Sequence, residues 1–246
     1  MKPKVNNDYY NHLGENWYEA DDDPIAVLRV EQQAKNPWVD NIISERFNSK
    51  ELSILDVGCG AGFLTNYLSQ RYDCVSGLDA SESSLEVAKS KDISKKVKYS
   101  VGDAYNLPYK TGSMDIVCAM DFLEHVERPE DVVAECSRVL KPGGIFFFHT
   151  FNRNFLSWLI VIKFMEWFVP NTPKHLHVLH LFIKPRELEL MMIAANLKQQ
   201  KVTGIGPRFN WGFIKSIFSR KVLPGFSFKV GGPTILGYMG YSVKES

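Results

Sequence analysis

The run Leu52-Ser53-Ile54-Leu55-Asp56-Val57-Gly58-Cys59-Gly60-Ala61-Gly62 constrains this chain more than any other stretch of it. Leu52 to Val57 is a short aliphatic segment of the kind that forms a buried strand. Gly58, Gly60 and Gly62 follow at once, ahead of a helical pattern from Gly62 to Arg71. A strand that runs into alternating glycines makes a tight turn, whose backbone can approach a ligand closely with its N–H groups aimed outward at a helix start. Such loops suit adenosine-type cofactors. The dinucleotide version reads GxGxxG/A, and its sixth position here is Phe63, which would crowd a pyrophosphate and the close helix packing beneath it.

The same strand-turn-helix grammar repeats downstream. Cys74 to Leu78 reads as a strand, with Ser81 as the N-cap of a helix to about Lys91. Val97 to Val101, Met114 to Met120 and Gly144 to Phe151 read as further strands, the last a continuous apolar run buried on both faces. Pro129 to Leu140 reads as a helix stopped by Lys141-Pro142-Gly143-Gly144. Alternation of this kind predicts an α/β fold around a doubly wound, mostly parallel sheet. Asn36-Pro37 is expected to open an N-terminal helix that ends near Phe47, and Pro185 to Asn196 to form a late helix. The 246 residues are read as one domain: an N-terminal helical cap over 1–50, a cofactor-binding core over 52–150, an insertion or lid over 152–184, and the rest of the sheet over 185–246.

Charge excludes little but directs attention. The net charge of +1 argues against a nucleic-acid partner, although seven bases and one acid lie from residue 201 onward. The four cysteines have no CxxC spacing and read as packed thiols of a reducing cytoplasm, and the polar, aromatic opening lacks an export leader. Two acids at strand ends complete a ligand pattern. Asp79 stands where a carboxylate can accept both hydroxyls of a ribose, and Asp103, in Gly102-Asp103-Ala104, where one can receive an adenine amino group.

Leu55 to Leu64, Gly77-Leu78-Asp79, Gly102-Asp103-Ala104, Asp115-Ile116-Val117 and Leu140 to Gly144 resemble the motif series of class I S-adenosylmethionine-dependent methyltransferases. That resemblance implies a Rossmann-like sheet of seven strands with N-terminal helices and a helical insertion. It also implies that Gly58, Gly60 and Gly62 line the methionine part of S-adenosylmethionine, that Asp79 binds the ribose, and that Asp103 and Ala104 meet adenine. Asp56, Cys59, Ala80 and Met120 are the neighbouring cofactor-binding positions. A narrower resemblance is to the ubiquinone-biosynthesis O-methyltransferases, which methylate hydroxyls of polyprenyl phenols and catechols. Tyr9 to Trp17, Asp21 to Pro24, Ala119 to Val126, Thr150 to Asn154 and Phe182 to Pro185 carry it. Two positions depart from the family: Asp121 replaces its usual Glu, and Val39 falls where it has a cofactor-contacting Arg, leaving Arg29 as the nearest substitute.

Asp121, Glu124 and His125 are the candidate catalytic residues. On a helix beginning at Asp121 they would share a face, since positions three and four apart are neighbours. Such a trio could hold a hard divalent ion such as Mg²⁺, or His125 could act as general base on a phenol; a helix cap and a backbone-bonded imidazole are the alternative reading. Phe155 to Val169 is too short and too interrupted by Lys163 and Glu166 to span a membrane. Its broad apolar face bearing Phe155, Trp158, Leu159, Ile162, Met165 and Phe168 fits either an interfacial helix, making the enzyme peripheral on the inner face of the membrane, or a lid or dimer contact. His175, His177 and His180 lack the partners of a zinc site and are expected to line the substrate mouth. A soluble small-molecule acceptor and a non-catalytic cofactor-binding scaffold are the competing functions.

Overall fold

The computed structural model describes residues 3–245. Five strands follow one another in parallel pairing: β1 (Ser53–Val57), β2 (Cys74–Asp79), β3 (Lys98–Val101), β4 (Met114–Met120) and β5 (Leu140–Phe151). β6 (Leu197–Pro207), β7 (Phe228–Val230) and β8 (Gly237–Lys244) complete one sheet in the order β3-β2-β1-β4-β5-β8-β6-β7. β8 runs antiparallel to both of its neighbours, β5 and β6. The doubly wound, mostly parallel architecture is as expected, with eight strands in place of seven. The additional one is β7, three residues that pair with Ile205–Pro207 before Gly231 and Gly232 turn the chain at positive φ toward β8. Three residues flanked by turn-formers carry no alternation, so no strand was legible there.

Side-chain alternation divides the strands between two cores. Leu55, Val57, Val117, Ala119, Phe146 and Phe148 face α5 (Pro129–Val139) and α8 (Pro185–Ala194) in one cluster. Ile54, Ile116, Cys118 and Phe147 lie in the other, with Ile42 and Ile43 of α2 (Pro24–Arg46) and Leu64 and Leu68 of α3 (Phe63–Ser69). The three consecutive phenylalanines Phe146 to Phe148 are fully buried, worth roughly 1.5–3 kcal/mol each.

α2 corrects the reading of Asn36-Pro37 as a helix start. The helix begins at Pro24, where Asp23 accepts a hydrogen bond from Ala26 N, and continues through Pro37. A mid-helix proline forfeits one backbone bond and costs about 3 kcal/mol. Burial of Val39, Ile42 and Ile43 against the sheet offsets that, and the side chain of Asn36 donates to Phe63 O rather than capping a helix. The remaining helices are α1 (Asn16–Glu19), α4 (Glu82–Ser90, capped by Ser81), α6 (Phe155–Ser157) continuing through a π-helical stretch into α7 (Met165–Phe168), and α9 (Trp211–Ser219). Among the described residues no helix is long and apolar enough to cross a membrane.

Candidate active site

A cavity of about 760 Å³ opens along the C-terminal ends of β1, β2 and β4, the place where open α/β sheets bind ligands. At its floor, Gly58 and Cys59 donate their N–H groups to Leu78 O, which ties the glycine loop to β2. Gly58 has φ +70, and a Cβ there would stand 2.1 Å from Phe122 Cδ2; at Gly62, φ +80, it would stand 2.5 Å from the Tyr99 hydroxyl. Both positions therefore need glycine for backbone conformation and for space. Asp79 accepts from Gly60 N and from Ser81 N, both at 2.8 Å, one on each carboxylate oxygen. Lone pairs remain on both oxygens for hydroxyl donors. Asp56 is buried beneath the loop, accepts from the Thr65 hydroxyl at 2.6 Å, and is pushed by that burial up to about 7.

Among the residues expected at a cofactor, Asp56, Gly58, Cys59, Gly60, Asp79, Ala80 and Met120 line the cavity. Gly62 stands behind it as the left-handed cap of α3. Asp103 is exposed just beyond β3, its side chain accepting from Tyr105 N, and the Ala104 side chain packs into the core. Neither lines this cavity. Phe63 packs edge-on to Trp17 and tilted against Tyr18, so the residue that disfavours a dinucleotide anchors the N-terminal cap. Val39 is fully buried, and Arg29 spends its guanidinium on the carbonyls of Trp17 and Ala20, which removes Arg29 as a substitute contact.

The acidic trio is arranged otherwise than a helix would arrange it. Asp121 is not helical: it has φ +57, and only Leu123–His125 form a single 3-10 turn behind it. Asp and Asn tolerate that left-handed conformation best among residues with a Cβ. Asp121 Oδ2 accepts from Lys35 Nζ at 2.5 Å and Gln32 Nε2 at 3.0 Å, and its Oδ1 lies 2.5 Å from His149 Nδ1. Burial opposes its charge, but Lys35 and then His149 outweigh burial and hold the carboxyl far below the usual range. Glu124 is fully buried with no hydrogen-bond partner on either oxygen among the described residues; burial, and then the charge of Asp121, raise it to about 7.

His125 is drawn away from both acids. Its Nδ1 is 3.2 Å from Asn7 Oδ1, its Nε2 3.5 Å from the Tyr10 hydroxyl, and its ring packs against His177. Burial lowers it to about 4. The group whose ligand atoms converge within 4.8 Å is Asp121, Glu124 and His149, so His149 stands where His125 was expected in the metal trio. That donor set does not fit a divalent ion, because Lys35, wholly buried, already sits on Asp121 Oδ2 and His149 Nδ1 already meets Asp121 Oδ1. Two unit charges 4 Å apart repel by about 4 kcal/mol at an effective dielectric near 20, and a dication would double that.

The roof of the cavity is apolar. Ile160, Val161 and Phe164 of the insertion face it from one side, and Phe213 and Ile217 of α9 from the other. Of the three histidines His175, His177 and His180, only His177 is among the cavity's lining residues, packed against His125.

Comparison with known proteins agrees with this geometry. A family model described as a methyltransferase domain matches residues 55–148. The ubiquinone biosynthesis O-methyltransferase of Saccharophagus degradans is 38% identical over 173 residues, 69% of this chain and 73% of that protein. The protein of the same name from an Escherichia coli O6:H1 strain is 33% identical over 203 residues, 80% and 81% respectively. The chain belongs to the ubiquinone biosynthesis O-methyltransferase family. It is an S-adenosylmethionine-dependent methyltransferase, as the motif series implied. The fold is shared with the magnesium protoporphyrin IX methyltransferase of Synechocystis, solved with bound S-adenosylhomocysteine, at TM-score 0.67 and 17% identity over 96% of this chain and 97% of that one. Asp79, with its unused lone pairs beside a glycine loop that a side chain would block, fits the cofactor of this family.

Sequence reasoning missed Glu31, Gln32, Lys35 and His149. Only His149 left a signal, as the one titratable side chain in the apolar run Ile145 to Phe151.

Proposed function

We propose that this methyltransferase methylates a phenol or catechol hydroxyl of a polyprenylated ubiquinone precursor. What carries the reading is the continuity of one cavity, from the glycine loop past Glu124 to the apolar roof of Phe164, Phe168 and Phe213. A ligand with a polar ring and a long apolar tail matches that division. When bound, S-adenosylmethionine supplies a methyl group on a positively charged sulfur. Gly58, Gly60 and Gly62 give the loop room for it and Asp79 accepts the ribose hydroxyls; Asp103, exposed beyond β3 and outside the cavity lining, is assigned to the adenine amino group on the motif resemblance alone.

Glu124 takes the hydroxyl proton: the residue lines the cavity, its buried carboxylate has no hydrogen-bond partner among the described residues, and burial raises it to about 7. His125, neutral at that pH, orients the ring. The apolar roof excludes water and leaves the newly formed phenolate poorly solvated; the bound cofactor would supply the methyl group it accepts, the S–CH₃ bond breaking as the O–CH₃ bond forms and the neutral thioether leaving.

The test is transfer of labelled methyl to a short-chain prenylated catechol and to the same catechol without its tail. Expected is a kcat/KM at least about tenfold higher for the prenylated ring, because a few buried CH₂ groups contribute about 0.8 kcal/mol each. Equal rates would point instead to a soluble phenolic acceptor, and cofactor binding without transfer to either would sink the acceptor class.

The finer proposal on location is that the enzyme rests on an anionic lipid surface. Phe155 is 71% exposed, Trp167 58%, Trp211 68% and Phe218 85%. Arg220 Nη2 lies 3.5 Å from Trp167 O, which joins the insertion to α9 on one side of the cavity roof. Lys163 is paired with Glu166, so the basic contribution comes from Arg208, Lys215 and Arg220. Sedimentation with phosphatidylglycerol vesicles is expected to carry the wild type down and to leave a Phe155→Ser/Phe218→Ser variant in solution. No pelleting of the wild type would overturn the proposal.

A further inference from the structure

The acidic end of the cavity has a layered construction. Glu31, Asp121 and Glu124 line the cavity, and Lys35 and His149 stand fully buried among them. Four titratable groups, Asp121 among them, close a ring: Lys35 Nζ to Asp121 at 2.5 Å, Asp121 to His149 Nδ1 at 2.5 Å, His149 Nε2 to Glu31 at 3.7 Å, and Glu31 to Lys35 at 3.4 Å. Lys35 and Glu31 are one turn apart on α2, so a single helix delivers both the cation and one of its anions. Asp121 N also donates to His149 O at 3.2 Å, fixing the left-handed residue from both its backbone and its side chain.

We propose that Lys35 is a resident cation that does the electrostatic work of a divalent ion here. It neutralises Asp121, holds that residue in its left-handed conformation, and so aims Glu124 from the following turn into the cavity. Lys35 is thus a positioning residue, and methyl transfer by this chain runs without a metal. Two observations carry this independently: both Asp121 oxygens are already occupied, Oδ2 by the buried ammonium of Lys35 and Oδ1 by His149 Nδ1, and His125 is turned toward Asn7, Tyr10 and His177.

The activity arm of the test rests on the O-methyl transfer proposed above; the binding arm needs no turnover. Protein dialysed against EDTA is titrated with Mn²⁺ and followed by electron paramagnetic resonance, and its methyl transfer is assayed with and without added Mg²⁺. Expected for the wild type are no Mn²⁺ site that Asp121→Asn removes, and rates with and without Mg²⁺ within about twofold of each other. A rate that falls about tenfold or more in EDTA and returns with Mg²⁺, or an Asp121-dependent Mn²⁺ site in the wild type, would overturn the proposal. Lys35→Gln is expected to gain a Mn²⁺ site, and a folded Lys35→Gln protein that binds none would equally overturn it. If that variant does not fold, the wild-type arms still decide.

Discussion

Glu124→Gln is expected to lower kcat by about 10²–10⁴, the usual contribution of a positioned general base, while cofactor affinity stays near the wild-type value. The substitution keeps the shape and removes the titration. In the wild type, activity should rise with pH through an inflection near the value of about 7 to which burial raises Glu124. The variant's profile should be flat there. His125 is the competing base and is held near 4, so an inflection close to 4 in the wild type would transfer the role to it.

The same group makes a signed stability prediction. An acid whose folded value lies above its unfolded one binds its proton more tightly when folded. The stability this confers is complete below the unfolded value of 4.5 and is lost as pH rises through about 7, on the order of 3 kcal/mol in all. Denaturant midpoints measured at about pH 5 and about pH 8 should therefore move apart less in Glu124→Gln than in the wild type. Asp56 is raised to a similar value and contributes to both proteins alike, so the difference between them isolates Glu124.

Lys35→Met carries the largest expected loss of stability, about 3–5 kcal/mol, because removing one partner of a buried ion pair leaves an uncompensated charge behind. Here two carboxylates, Asp121 and Glu31, would lose the ammonium at once. Asp121 has a depressed value in the folded state. Its contribution is present above the unfolded carboxylate range and fades as pH falls toward the folded value, so the penalty of Lys35→Met should shrink on acidification. Adding Asp121→Asn to Lys35→Met should recover part of the loss, which a double-mutant cycle in urea would measure. A single-variant cost below about 1 kcal/mol would mean that the pair behaves as an exposed one does.

The glycine loop, Asp79 and the order of the first five strands were legible because each is written in adjacent residues: a strand, a turn that only glycine permits, and an acid at a strand end. The charged ring around Asp121 was not, for its members are separated by 86 residues between Lys35 and Asp121 and come together only when α2 lies across the sheet. A lysine in a helix is ordinarily solvated, and nothing local distinguishes Lys35 from Lys50. The trio Asp121, Glu124 and His125 was recognised as a cluster but given helical geometry. The left-handed φ at Asp121 breaks that periodicity, and with it the shared face. Pro37 misled for a related reason: it reads as a helix start wherever the burial that sustains the helix through it is unknown.

The last strand, β8, lies between β5 and β6, with β6 and β7 already behind it in the chain. During synthesis β6 and β7 must therefore wait as a separate ribbon, while β5 presents an open edge of backbone donors and acceptors next to Phe146 to Phe148. Only when Gly237–Lys244 has left the ribosome can it slot in and join the two parts, pairing with both neighbours in one step. Sequence-distant pairing of this sort is slow, and the waiting edge invites other chains. The expected consequence is that folded yield depends on how long the nascent sheet is sheltered before Gly237–Lys244 arrives, a matter of translation and chaperoning that catalytic-site chemistry does not touch.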